Sequence, residues 1–186
     1  MSSTGRRTAV VQRGFTVAKG WKTKGVNIPQ RQTTNAAGYD FECAEEVVIP
    51  SIWTQIISKL MFRTPWDKKD GSDMEKAITP TLVHTGVKSF MGEDEGLFLY
   101  NRSSNPLKNF LLLGNGVGVV DSDYFENPKN DGEIMFQFIN FGIKPKTIKK
   151  GDRVGQGIFK NFLRADNDVP VDQQREGGHG STNEKN

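Results

Sequence analysis

The residues best suited to chemistry fall in five short stretches. In LLLGNGVGVVDSDYF (111–125), Gly114-Asn115-Gly116 offers the tight turn of a hairpin, and Gly116 and Gly118 admit a ligand close to the backbone. A flat heterocycle could pair with main-chain groups there, beside Asp121, Asp123 and the ring of Tyr124; an ordinary hairpin explains the stretch equally well. YNRSSNP sets Arg102 beside the hydroxyls of Ser103 and Ser104, a combination that grips phosphate oxygens or simply makes a solvated turn. AGYDF places Asp40 where it could orient a metal-bound water or close an Asx turn. In GDRVGQG, Asp152 and Arg153 could pair locally, while Gln156 could reach a phosphate. REGGHGST lacks the Gly-Lys-Ser/Thr ending and the following helix of a P-loop. Its amides, with Arg175, Ser181 and Thr182, could still wrap a polyphosphate held by another surface.

Other chemistries are left without material. Cys43 is the only cysteine in 186 residues, and His84 and His179 are the only histidines. That excludes intrachain disulfides and thiolate metal clusters, and it leaves little for a histidine-based zinc site or a His-dependent triad. A metal would be held by carboxylates, water or substrate phosphates, which favours Mg²⁺. The net charge of +3 comes from intermixed acids and bases, too weak a bias to imply nucleic acid, so no direct nucleic-acid contact is expected. MSSTGRRTAVVQRGFTVAKG has no continuous apolar core of a signal peptide, and no apolar run approaches spanning length. A cytoplasmic location with no membrane partner is the expectation.

Positioning these residues falls to a β-rich fold. Twenty glycines and eight prolines point to many turns. Residues 9–17 read as a strand, Tyr39, Phe41 and Cys43 alternate with polar partners, and Val47-Val48-Ile49 follows. Strand signals return in ITPTLVHTGVKSF, EGLFLYN, NFLLLGNGVGVVDSDYF, GEIMFQFINFG and GDRVGQGIFKNFL, a spacing typical of a sandwich or jelly roll. SIWTQIISKLMF breaks this pattern: Ile52, Trp53, Ile56, Ile57, Leu60 and Met61 recur at helical spacing. Residues 51–78 therefore read as a helix-bearing insertion whose apolar stripe is expected to pack on the subunit's own core. From Arg164 hydrophobic residues nearly vanish, so the division is a β domain over 1–163 and a flexible arm over 164–186.

In sequence order, AGYDF, NRSSNPLKN, GNGVGVVDSDYF, GDRVGQ and REGGHGST resemble the five motifs of the trimeric dUTPase family. LVHTGV (82–87) is similar to the family's link between its first two motifs, and the resemblance runs from about Phe15 to Thr182 apart from 51–78. It implies an all-β, jelly-roll-like subunit with a short helical insertion, in a homotrimer whose active sites lie between subunits. The implied reaction is attack of water on dUTP to give dUMP and pyrophosphate, with Mg²⁺ on the triphosphate, limiting uracil in DNA and supplying dUMP. By resemblance, Asp121 is the general base. Asn115, Gly118, Val119, Val120 and Met135 face uracil and deoxyribose, Tyr124 packs on the sugar, and His179 stands where the family has an aromatic lid. Arg102, Ser103, Ser104, Gln156, Arg175, Gly180, Ser181 and Thr182 correspond to phosphate contacts, and Asp40 to a carboxylate reaching Mg²⁺ through water.

Two rivals share the fold. A dCTP deaminase would carry a glutamate where GEIMFQFIN has Gln137, and glutamine cannot shuttle the proton that deamination needs. A regulatory protein would use the 51–78 insertion to bind a protein partner; retained Asp121 makes such binding an addition to catalysis. Three departures from the family pattern stand out. FENPKND (125–131) lengthens the tract after Tyr124, Asn105-Pro106 replaces a small apolar residue, and the fifth motif has one residue fewer between Arg175 and its glycines.

Overall fold

The computed structural model describes residues 13–61, 75 and 78–169. The chain first lays down β1 (Gly14–Val17), β2 (Tyr39–Glu42) and β3 (Val47–Ile49), then the helix α1 (Ile52–Met61). After α1 come β4 (Thr81–His84), β5 (Val87–Phe90), β6 (Glu95–Asn101), β7 (Leu111–Leu113) and β8 (Gly118–Asp121). β9 (Met135–Asn140), β10 (Lys146–Ile148) and β11 (Arg153–Asn161) follow.

Among the described residues every pairing between strands is antiparallel. The largest sheet runs β2-β11-β6-β8 and a second runs β4-β9-β7, with the pairs β1-β5 and β10-β3 beside them. Strands distant in sequence are therefore neighbours, as in a jelly roll, although the sheets do not close into a barrel. The alternation in YDFEC and MFQFIN comes from the pleat: Phe41, Cys43, Phe136 and Phe138 all turn into one core with Leu97, Val83 and Ile134. Gly155 on β11 is needed for that packing, since a Cβ there would come within 2.0 Å of the Phe136 ring. Strand β10 escaped the sequence reading. It is three residues long, lysine-flanked, and buries only Ile148, so its pairing with β3 has no local pattern to announce it.

The helix forms where its periodicity predicts, but its stripe does not join the core. Ile52 is buried and Ile56 half-buried, whereas Trp53 is 47% exposed and Leu60 61% exposed. Polar contacts hold α1 against the turn after β9 instead. Trp53 Nε1 donates to the Phe141 carbonyl at 2.9 Å, and Thr54 Oγ1 donates to that of Ile143 at 3.2 Å. The expectation that this stripe packs on the subunit's own core is corrected accordingly: Trp53, Ile57 and Leu60 stay exposed while the helix is held by the turn after β9.

Candidate active site

Asp40 is the centre of the first cluster. It lies on β2 and is buried, with its backbone N–H donating to Gln30. Register aligns Asp40 with Gln156 on β11, and Gln156 in turn with Tyr100 on β6. Consequently Gln156 Nε2 donates to Asp40 Oδ1 at 2.9 Å, and Arg153 donates to Oδ2 at 3.1 Å. Arg102 Nε stands 3.9 Å from the same carboxylate, and its guanidinium donates to the Arg153 carbonyl at 3.0 Å. Arg153 thus pairs across the sheet rather than with adjacent Asp152, whose carboxylate caps the Lys149 amide. Its role is absent from the sequence reading, because a residue pair 113 positions apart leaves no local trace. Arg102, Lys146 and Arg153, with Asp152, line one open groove of about 390 Å³, whose charge is on balance positive.

Below Arg102 an amide ladder supports the turn. Asn105 is buried; its side chain donates to Asn101 Oδ1 at 2.7 Å and to the Val154 carbonyl at 2.8 Å. The residue that departs from the family pattern therefore ties the Arg102-Ser103-Ser104 turn to β11. Just ahead of it, Ser103 is exposed and Ser104 half-buried. Replacing Asp40 by alanine should strip charged-group hydrogen bonds from Gln156 and Arg153 and lower stability by about 1–3 kcal/mol. The figure stays below that for a fully buried pair because Arg153 is partly exposed and regains water. Urea unfolding of Asp40→Ala beside the parent chain checks it.

The second cluster is the β7–β8 hairpin. Gly116 takes a φ of +67°, and Gly116 N donates to the Leu113 carbonyl, closing the turn. Asn115 Nδ2 lies over Gly118, where an added Cβ would stand 3.3 Å from it. Gly114 N donates to the Gln137 carbonyl at 2.7 Å, which draws the turn alongside the start of β9, where Met135 lies. Along β8, Gly118 and Val120 are buried and Val119 is exposed, so Asp121 projects outward on the face of Val119. The Val120 side chain belongs to the core, leaving only its backbone for a ligand. A single turn of 3-10 helix, Ser122–Tyr124, then carries Tyr124 into the protein, where it is 7% exposed.

The two clusters are far apart within one chain. β2 and β8 are opposite edges of the four-stranded sheet, three strand spacings or about 14 Å apart. Asp121 aligns with Gly96 of β6 and Asp40 with Tyr100, a further offset of about 13 Å along the strand. Asp121 and the Asp40–Gln156–Arg102 cluster are thus separated by on the order of 20 Å. Arg175, His179, Gly180, Ser181 and Thr182 lie outside the described residues. No described helix is long and apolar enough to cross a membrane.

Comparison with known proteins adds to this geometry. The dUTPase family model matches residues 74–183. A Lactococcus lactis protein named deoxyuridine 5′-triphosphate nucleotidohydrolase is 41% identical over 171 residues, covering 91% of this chain and 97% of its own length. A protein of the same name from Desulfitobacterium hafniense is 33% identical, covering 74% of this chain and 72% of its own. The crystal structure of dUTPase from Streptococcus mutans superposes with a TM-score of 0.65 at 35% identity, covering 82% of this chain and 98% of that one.

Proposed function

The chain belongs to the dUTPase family, and from that premise we propose that it hydrolyses dUTP to dUMP and pyrophosphate. The observation that carries this is the match over 91% of the chain to the L. lactis dUTP nucleotidohydrolase. In this reading Asp121 orients and deprotonates the attacking water, while Arg102, Gln156 and the Ser103-Ser104 turn hold the phosphates. The Asn115 hairpin reads the base: main-chain donors aimed at a uracil carbonyl would meet the amino group of cytosine and be left unpaired.

The separation of the two clusters supports a homotrimer with shared sites. Base and phosphate grip must act within hydrogen-bond reach of one phosphoryl group, about 3 Å, and one chain holds them far beyond that. A second copy supplies the missing half of each site. Mg²⁺ fits the donor set in one way. No group of three or more His, Cys, Asp or Glu side chains is gathered among the described residues, which suits an ion held by substrate phosphates and water. Asp40 would meet it through a water, each oxygen keeping a lone pair beyond those used by Gln156 and Arg153. When bound, the ion neutralises charge on the triphosphate.

Purified protein offered dUTP or dCTP with Mg²⁺ is expected to release pyrophosphate from dUTP and no ammonia from dCTP. Ammonia release would replace this reading with the deaminase, against the glutamine at position 137.

A further inference from the structure

The tract between Tyr124 and β9 is longer than its family resemblance predicts, and it is tightly built. Lys88 of β5 is 5% exposed and reaches into it. Its Nζ donates to Glu126 Oε1 at 2.9 Å and to both Asp131 oxygens at 3.0 and 2.9 Å, and it sits 4.7 Å from the centre of the Phe125 ring. Glu126 and Asp131 both have positive φ, +56° and +59°, a conformation that non-glycine residues rarely adopt. Such geometry persists where the surroundings over-determine it, and here one buried ammonium holds both residues. Burial alone would raise the Asp131 pKa, but its hydrogen bonds from Lys88 and from the Lys19 amide outweigh that and hold it below the usual carboxylate range.

The two asparagines of this tract converge on Tyr124. Asn130 Nδ2 donates to the Tyr124 hydroxyl at 2.7 Å, and the hydroxyl donates onward to the Glu133 carbonyl at 3.1 Å. Buried Asn127 donates to the Tyr124 carbonyl at 2.9 Å and to Asn130 Oδ1 at 2.8 Å, while its own oxygen accepts from the amides of Lys129 and Asn130. Ring and backbone of one tyrosine are thus held by two asparagines of a loop that Lys88 pins to the sheet.

We propose that residues 125–131 form a clamp whose Asn130 is a positioning residue for the Tyr124 ring, setting discrimination between 2′-deoxyribose and ribose nucleotides. The proposal rests on the reading of Tyr124 as the ring that packs on the sugar. A ring that can rock leaves room for a 2′-hydroxyl; one fixed at both its backbone and its hydroxyl does not. The test compares kcat/KM for dUTP and UTP in the full-length protein with Mg²⁺. Asn130→Ala and Tyr124→Phe, which break the same hydrogen bond from opposite ends, should each lower the dUTP-to-UTP ratio about tenfold. The double variant should be no worse than either single one, as expected of groups acting through one contact. Tyr124→Phe leaves the loop sequence intact, so it reads the clamp even where Asn130→Ala misfolds. A lower melting temperature with an unchanged ratio in these variants would make the loop merely structural and overturn the clamp. Tyr124→Ala separates the two ideas. If it lowers the ratio while Asn130→Ala and Tyr124→Phe do not, the clamp falls and the sugar ring stands. If Tyr124→Ala leaves the ratio unchanged, both fall.

Discussion

Asp121→Asn is expected to lower kcat on dUTP by about 10²–10⁴-fold while leaving the Kd of a non-hydrolysable dUTP analogue within about twofold. Asparagine keeps the shape and the outward placement at the end of β8, so the hairpin and the pairing of Asp121 with Gly96 survive. What it loses is the capacity to accept a proton from water. In the proposed reading, binding rests on the Asn115 hairpin, Tyr124 and the Arg102 cluster, and an isosteric change at the Asp121 side chain leaves the backbone of β8 in place. Single-turnover rates and equilibrium titration on the same preparation separate the two effects. A near-normal rate would mean that another group activates the water.

Mixing two inactive variants should restore activity. Chains carrying Asp121→Asn and chains carrying Arg102→Ala each lack one half of the chemistry. If base and phosphate grip come from different copies, random mixed trimers contain sites with both halves intact. With equal amounts, about a quarter of sites are complete, so activity should return to about a quarter of the parent's. The variants must be unfolded and refolded together, or co-expressed, for subunits to exchange. If both halves came from one chain, every site would keep one defect and the mixture would stay as inactive as its parts. The large sheet makes the first outcome the expected one, because β2 and β8 are its opposite edges. The size of the recovery also makes the experiment decisive against background.

Much of the fold was legible because its causes are local. Alternation of apolar residues in YDFEC and MFQFIN follows from the two-residue repeat of a strand, and it turns Phe41 and Cys43, and Phe136 and Phe138, into the core. The periodicity of 52–61 gave α1 its place and length, for a 3.6-residue repeat is equally local. Which side of the helix is covered is another matter. Amphipathicity says that a stripe exists; the docking of α1 on the turn after β9 is what leaves Trp53, Ile57 and Leu60 exposed.

The candidate site divides in the same way. Motif order, through the resemblance to the dUTPase family, pointed to Asp121, Arg102, Asn115 and Gln156, and the chemistry of phosphate-ester hydrolysis agrees with that choice. Composition alone excluded thiolate metal clusters and left little for histidine-based chemistry, since the residues are too few. Only the tertiary structure decided who holds whom. Arg153 serves Asp40, Asn105 braces the Arg102-Ser103-Ser104 turn, and Lys88 locks the loop that grips Tyr124. These partners lie 38 to 113 residues apart, and the contacts arise from strand register and from loops folding back on the sheet. Spacing along a chain encodes which face a side chain takes, whereas the identity of its neighbour is set by which strand lies alongside.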